Sequence, residues 1–130
     1  MTIEFIVPGK PVPMARPRVT MHGTYTPSVC REYKKVVAMV AKNAMRTADL
    51  LLFDNTPLEC RVRFVFPLPK SRKNPWATSR PDLDNLYKSV TDAMNGIVYK
   101  DDAQIVRATI EKAYEANGGG RVEICVSEIA

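Results

Sequence analysis

From Thr2 to Val7 apolar and polar residues alternate, with Ile3, Phe5 and Val7 on one side, the two-residue period of a half-buried strand. Pro8-Gly9 ends it. The stretch KPVPMARPRV follows, with Lys10, Arg16 and Arg18 among its prolines. Proline cannot donate to a strand ladder, so this predicts a stiff, extended basic loop rather than a strand. Thr26-Pro27-Ser28 then carries helix-start chemistry. Tyr33, Val36, Val37, Val40, Ala41, Ala44 and Met45 recur at helical spacing and predict a long amphipathic helix ending near Ala48.

Pro57 opens a second strand, Leu58 to Phe66, with Cys60, Val62, Phe64 and Phe66 inward and Arg61 and Arg63 outward. The loop PLPKSRKNPWATSRP holds Lys70, Arg72, Lys73, Arg80 and the single tryptophan, Trp76. In such a loop an indole can stack on a base or fold back over the core. Leu83, Leu86, Tyr87, Val90, Ala93 and Met94 line a second helix from Asp82 to Asn95, with Gly96 as its left-handed stop. A strand from about Ala103 to Tyr114 shows Val106, Ala108 and Ile110 on one face. Asn117 to Gly120 signals a hairpin, and a last strand runs from Arg121 to Glu128. The order is β-α-β-α-β-β, one domain over residues 1–130 of α/β (α+β) class, without internal repeats.

A chain of 130 residues, 45% apolar and 25% charged, matches an ordinary globular domain and argues against disorder. No apolar run nears the roughly 20 residues that span a bilayer. The opening MTIEFIVPGKPVP lacks the basic start and apolar stretch of a secretory signal. Cys30, Cys60 and Cys125 are widely spaced, and His22 is the only histidine, so neither a disulfide framework nor a Cys/His zinc site is expected. A soluble, cytoplasmic protein with buried apolar cysteines is the expectation.

The net charge of +5 is unevenly spread. Residues 1–81 hold fourteen Lys/Arg against five Asp/Glu, and residues 82–130 hold five against nine. A basic surface suits a polyanion, because each neutralised phosphate releases condensed counterions. A solvated basic face explains the same charge equally well. The acids are more informative. Asp82 and Asp84 stand one residue apart where the basic loop meets the second helix, with Lys88 one turn on and Asp92 another. Aspartate is favoured in a first helical turn, so either acid alone has a structural explanation, and Asp84–Lys88 can be an ordinary surface pair. Asp101-Asp102 precedes a strand and gains nothing for the sheet. Four hard oxygen donors without His or Cys suit Mg²⁺, which binds through a few carboxylates, water and substrate phosphate. Two such metals can activate water and stabilise the leaving oxygen of a phosphodiester.

RPDLDNLYKSVTDAMNG (80–96) and YKDDAQIV (99–106) resemble the RusA family of Holliday junction resolvases, small dimeric endonucleases of bacteria, phages and prophages. The shared pattern is a DxDN(x)₂K helix start, a helix end of the D-A-M-N-G type and a strand start of the DDAQIV type. The resemblance implies a small mixed sheet packed by two helices. It implies Mg²⁺-dependent cutting of four-way DNA junctions by paired symmetric nicks, with Mn²⁺ as a substitute ion, by a homodimer that needs no membrane. Asp82, Asp84 and Asp102 would be the catalytic metal ligands, Asp101 a supporting or alternative ligand, and Lys88 the cation near the scissile phosphate. Arg80 is a plausible phosphate contact, although Pro81 separates it from Asp82. From charge come further DNA contacts at Arg16, Arg18, Lys70, Arg72, Lys73 and, by stacking, Trp76. Two other readings stay open: a nuclease with broader branched-DNA choice, and a non-catalytic architectural DNA binder. The binder would gain from losing acids that repel phosphate.

Overall fold

The computed structural model describes residues 1–15, 18–21, 23–25, 28–71 and 76–129, with the side chains of 18–20 and 24–25 left out. The elements are β1 (Thr2–Pro8), β2 (Arg18–Thr20), β3 (Gly23–Tyr25), α1 (Ser28–Thr47), β4 (Leu58–Pro67), α2 (Leu83–Met94), a 3₁₀ turn (Asp102–Gln104), β5 (Ile105–Glu115) and β6 (Arg121–Glu128). Four strands form one mixed sheet in the order β1-β6-β4-β5. β6 runs antiparallel to β1 and β4, and β5 runs parallel to β4.

Strand alternation decides which sheet face is covered. The rungs Ile3/Val126/Cys60 and Phe5/Ile124/Val62 stand side by side and are buried. Against that face lie Tyr33, Val37, Ala41 and Met45 of α1 and Leu86, Val90 and Met94 of α2. Each fully buried side chain of this kind stabilises the fold by about 1.5–3 kcal/mol. The amphipathic stripes therefore place both helices on one face. α1 ends in a Schellman motif, with Leu50 N–H donating to the Met45 carbonyl (2.9 Å), Asp49 N–H to Arg46 (3.0 Å), and Asp49 left-handed at φ 55°.

The opposite face is polar and ion-paired. Arg63 reaches Glu111 (3.0 Å), Glu115 (3.5 Å) and Glu123 (3.8 Å), and Arg121 joins Glu115 and Glu123. Those guanidinium partners hold Glu115 below the usual carboxylate range. Arg63 thus belongs to a network with acids of the neighbouring strands, and counting charge along the sequence overstates the basic surface of β4.

Four expectations are corrected. Asn117 to Gly120 does not close a hairpin, because β4 lies between β5 and β6. Residues 116–120 arc over the end of β4, a gap of two strand spacings, or about 10 Å. Gly120 (φ 90°) fits there because a Cβ would meet the Val65 carbonyl oxygen at 2.9 Å. KPVPMARPRV is not loop throughout: past its last proline, Arg18 to Thr20 pair with Gly23 to Tyr25 as a small hairpin. The strand expected from Ala103 begins at Ile105, since residues 102–104 form the 3₁₀ turn. Val106 leaves the face of Ala108 and Ile110, because Leu58 pairs with Ile105 and Glu59 with Arg107. The skipped Val106 bulges outward and is 66% exposed. The three cysteines are free, with Cys30 and Cys60 buried and Cys125 half-buried. The helix-start residues Thr26 and Pro27 lie outside the described residues. Among the described residues, no helix is long and apolar enough to cross a membrane.

Candidate active site

Asp82 is the N-cap of α2, with extended backbone (φ −71°, ψ 146°), and its carbonyl accepts the first helical bond from Leu86 N–H (3.2 Å). Its carboxylate makes no capping hydrogen bond. The usual structural use of aspartate at this position is therefore not made, and the exposed side chain is available to a ligand. Asp84 is exposed in the first turn, where the positive end of the helix dipole offsets the repulsion between the two acids. Lys112 of β5 fixes the approach to this corner by donating to the carbonyls of Ser79 (2.9 Å) and Pro81 (2.8 Å). The arm of residues 11–15 lies alongside, with Met14 N–H donating to the Asn85 carbonyl (2.9 Å). Pro13, Met14, Ala15, Arg80, Pro81, Asp82 and Asn85 line an open groove of about 750 Å³.

The second acidic segment is built differently. The buried Tyr99 donates its hydroxyl to the Thr91 carbonyl (2.7 Å) and ties the chain after α2 back onto the helix. Asn95 accepts the Asp102 N–H on its side-chain oxygen (2.9 Å). Asp101 caps the 3₁₀ turn, its carboxylate accepting from Ala103 N–H (3.0 Å). Gln104 accepts the N–H groups of Lys100 and Asp101 (3.0 Å each) and donates to the carbonyls of Phe53 (2.9 Å) and Thr56 (3.1 Å). Asp102 emerges half-buried at a cleft of about 300 Å³ lined by Tyr87, Thr91, Ile105, Val106, Arg107 and Ala108. Burial, and then a hydrogen bond shared with the Asp101 carboxyl, raise Asp102 above the ordinary carboxylate value, while the Asn95 side chain acts in the other direction. A carboxylate crowded by acids is one whose charged form a cation would relieve.

Lys88 pairs with Asp92 (3.5 Å), not with Asp84, and is 63% exposed. Lys70 and Arg80 are exposed. Trp76 bridges by its backbone to Ala113 at the outer edge of β5, yet is 58% exposed, so the loop folds back while much of the indole faces outward. Arg16, Arg72 and Lys73 lie outside the described residues, as does the side chain of Arg18, whose backbone opens β2.

Among the described residues, no three His, Cys, Asp or Glu side chains stand close enough to enclose a metal ion by themselves. Mg²⁺ does not need such a cage. It binds through one or two carboxylates and completes its shell with water and substrate phosphate. The uncapped carboxylate of Asp82, the exposed one of Asp84 and the half-buried one of Asp102 are hard oxygen donors of the type that ion takes, with Asp82 on the groove and Asp102 on the separate cleft. Asn95, Gln104 and Lys112, which support these acids, are not among the residues expected from the sequence. Asn95 and Gln104 stand inside the helix-end and strand-start motifs, which was a usable signal. Nothing in the sequence marks Lys112.

Acids left free at a helix start in a basic chain suit an enzyme working on phosphates, and comparison with known proteins defines the class as that of the endodeoxyribonucleases. Residues 8–127 match the family Endodeoxyribonuclease RusA. The chain belongs to the RusA family and is a nuclease. It is 31% identical to the uncharacterized protein YqaN of Bacillus subtilis (strain 168), over 98% of this chain and 97% of that one. A crossover junction endodeoxyribonuclease of Lactococcus phage r1t is 40% identical over 58% of this chain and 57% of its own. The crossover junction endodeoxyribonuclease RusA of Escherichia coli (strain K12) is 31% identical over 82% of this chain and 78% of its own.

Proposed function

We propose that this protein resolves four-way DNA junctions in the bacterial cytoplasm, by Mg²⁺-dependent phosphodiester hydrolysis in which each subunit of a homodimer nicks one strand. The observation that carries this reading is Asp82: a carboxylate in the capping position of α2 that does not cap, within a chain of the RusA family. A four-way junction has near two-fold symmetry, which a two-fold pair of sites matches.

Asp82, Asp84 and Asp102 are the residues that would hold the cation, with Asp101 at hand as an alternative ligand. When bound, the ion neutralises the scissile phosphate and lowers the pKa of its water. Asp101 keeps the turn capped so that Asp102 faces the cleft. Lys88, held at 3.5 Å by Asp92 and otherwise exposed, can turn its ammonium to the phosphate and stabilise charge that builds on oxygen. Arg80 and Lys70 grip the backbone, joined by Arg16, Arg18, Arg72 and Lys73, and Trp76 offers a stacking face. An architectural binder would carry no such acids beside its phosphate contacts.

The test is cleavage of a synthetic mobile four-way junction beside linear duplex, with Mg²⁺, with Mn²⁺ and with chelator. Paired symmetric nicks on the junction alone, absent with chelator, are expected. Cutting of flaps or forks at equal rate would instead assign broader branched-DNA specificity. Tight junction binding without cutting in either metal would overturn the catalytic assignment.

A further inference from the structure

We infer that Gln104 is a positioning residue for the catalytic acid Asp102, an inference that rests on the nuclease reading above. Its side chain uses every direction a primary amide offers. The oxygen accepts two backbone N–H groups, from Lys100 and Asp101 (3.0 Å each), on the near side of the acidic turn. The nitrogen donates to two backbone carbonyls, Phe53 (2.9 Å) and Thr56 (3.1 Å), in the loop before β4. One amide thus joins segments about fifty residues apart in sequence. That loop is itself tied to the chain beyond α2, because Phe53 N–H donates to the Val98 carbonyl (2.9 Å) and Lys100 N–H to the Phe53 carbonyl (3.2 Å).

Besides Gln104, the Asp101 cap and the Asn95 bond hold Asp102 in place. It sits in a single turn of 3₁₀ helix, a weak element alone. Beside it the strand bulges at Val106. Four hydrogen bonds from Gln104 to main chain on both sides fix where the turn sits, and the Asn95 bond then sets the Asp102 backbone. No other side chain type reproduces this: Glu lacks the donors, Lys the acceptor, and Asn is a methylene short.

The test is the Mn²⁺ affinity of the DNA-free protein, read by the water-proton relaxation of the bound ion, beside thermal melting. Gln104→Met keeps the stem but neither donates nor accepts, and it should weaken Mn²⁺ binding by about 10–100-fold, the usual effect of losing a group that orients a metal ligand. Gln104→Glu retains both accepted bonds and should lose less. Asp102→Asn sets the scale of a lost ligand. Wild-type Mn²⁺ affinity in Gln104→Met, whatever its melting temperature, overturns the inference while leaving the nuclease reading intact. If instead wild type and Asp102→Asn bind Mn²⁺ alike, the ligand assignment itself fails. Should Gln104→Met not fold, Gln104→Glu decides: undiminished Mn²⁺ affinity there, with the Phe53 and Thr56 bonds lost, counts against positioning.

Discussion

The two acidic segments of the proposed site are built in opposite ways. At the start of α2, Asp82 and Asp84 are exposed on a regular helix whose core side, Leu86 and Val90, sets their position. Asp82 makes no capping bond, and Asp84 gains only from the helix dipole. Beyond α2, Asp101 and Asp102 stand on a turn with no hydrophobic face of its own, and polar bonds from Asn95, Gln104 and Asp101 do the holding. A site on a packed element inherits its precision from the core. A site on a turn must build its own.

This contrast predicts how substitutions divide. The largest effect falls on both segments alike: Asp84→Asn and Asp102→Asn should each slow junction cleavage by about a thousandfold, the several kcal/mol of charge stabilisation a catalytic metal supplies. The two should part in the stability of the metal-free protein. Asp102 titrates above its unfolded value in the fold, so the native state holds the proton more tightly. Its contribution to stability is present below the ordinary aspartate pKa and is lost as pH rises through the raised folded value. Asp102→Asn should therefore gain stability over wild type as pH climbs through that window and show no advantage below it. Urea titrations at a series of pH values read this directly. A pH-independent difference would contradict the burial and crowding of Asp102.

A smaller effect separates cap from ligand at Asp101. Asp101→Ala removes a capping oxygen and should cost about 1 kcal/mol, while Asp101→Asn keeps the acceptor and should cost only a few tenths. If Asp101→Asn loses as much cutting as Asp102→Asn, then Asp101 is a ligand and not chiefly a cap. The smallest effect belongs to the basic surface. Arg80→Ala should flatten the salt dependence of junction affinity by about one unit, as for one lost phosphate contact. An unchanged slope would place Arg80 off the backbone.

Much of the fold was legible in residue order because period-two and helical spacings report burial, and burial decides the elements. The limits of β1, α1, β4, α2 and β6 agree with the sequence reading to within a residue or two. Neighbours in the sheet were not legible. A glycine-rich turn reads alike whether it joins adjacent strands or steps over one, and only Gly120 against Val65 distinguishes the second case. The charge count misled at Arg63, whose acidic partners lie about fifty to sixty residues away on flanking strands. In the proposed site, the acids and Lys88 stand out by residue type and motif. Lys112 does not, because its role depends on where Ser79 and Pro81 lie in space.

The central claim is that Asp82 serves chemistry and not the fold, and the most direct measurement compares wild type with Asp82→Asn for cutting and binding of one four-way junction. Lost cleavage in Mg²⁺ is expected, with junction affinity equal to or tighter than wild type, since one negative charge near the phosphates is gone. Cleavage at the wild-type rate would contradict the account.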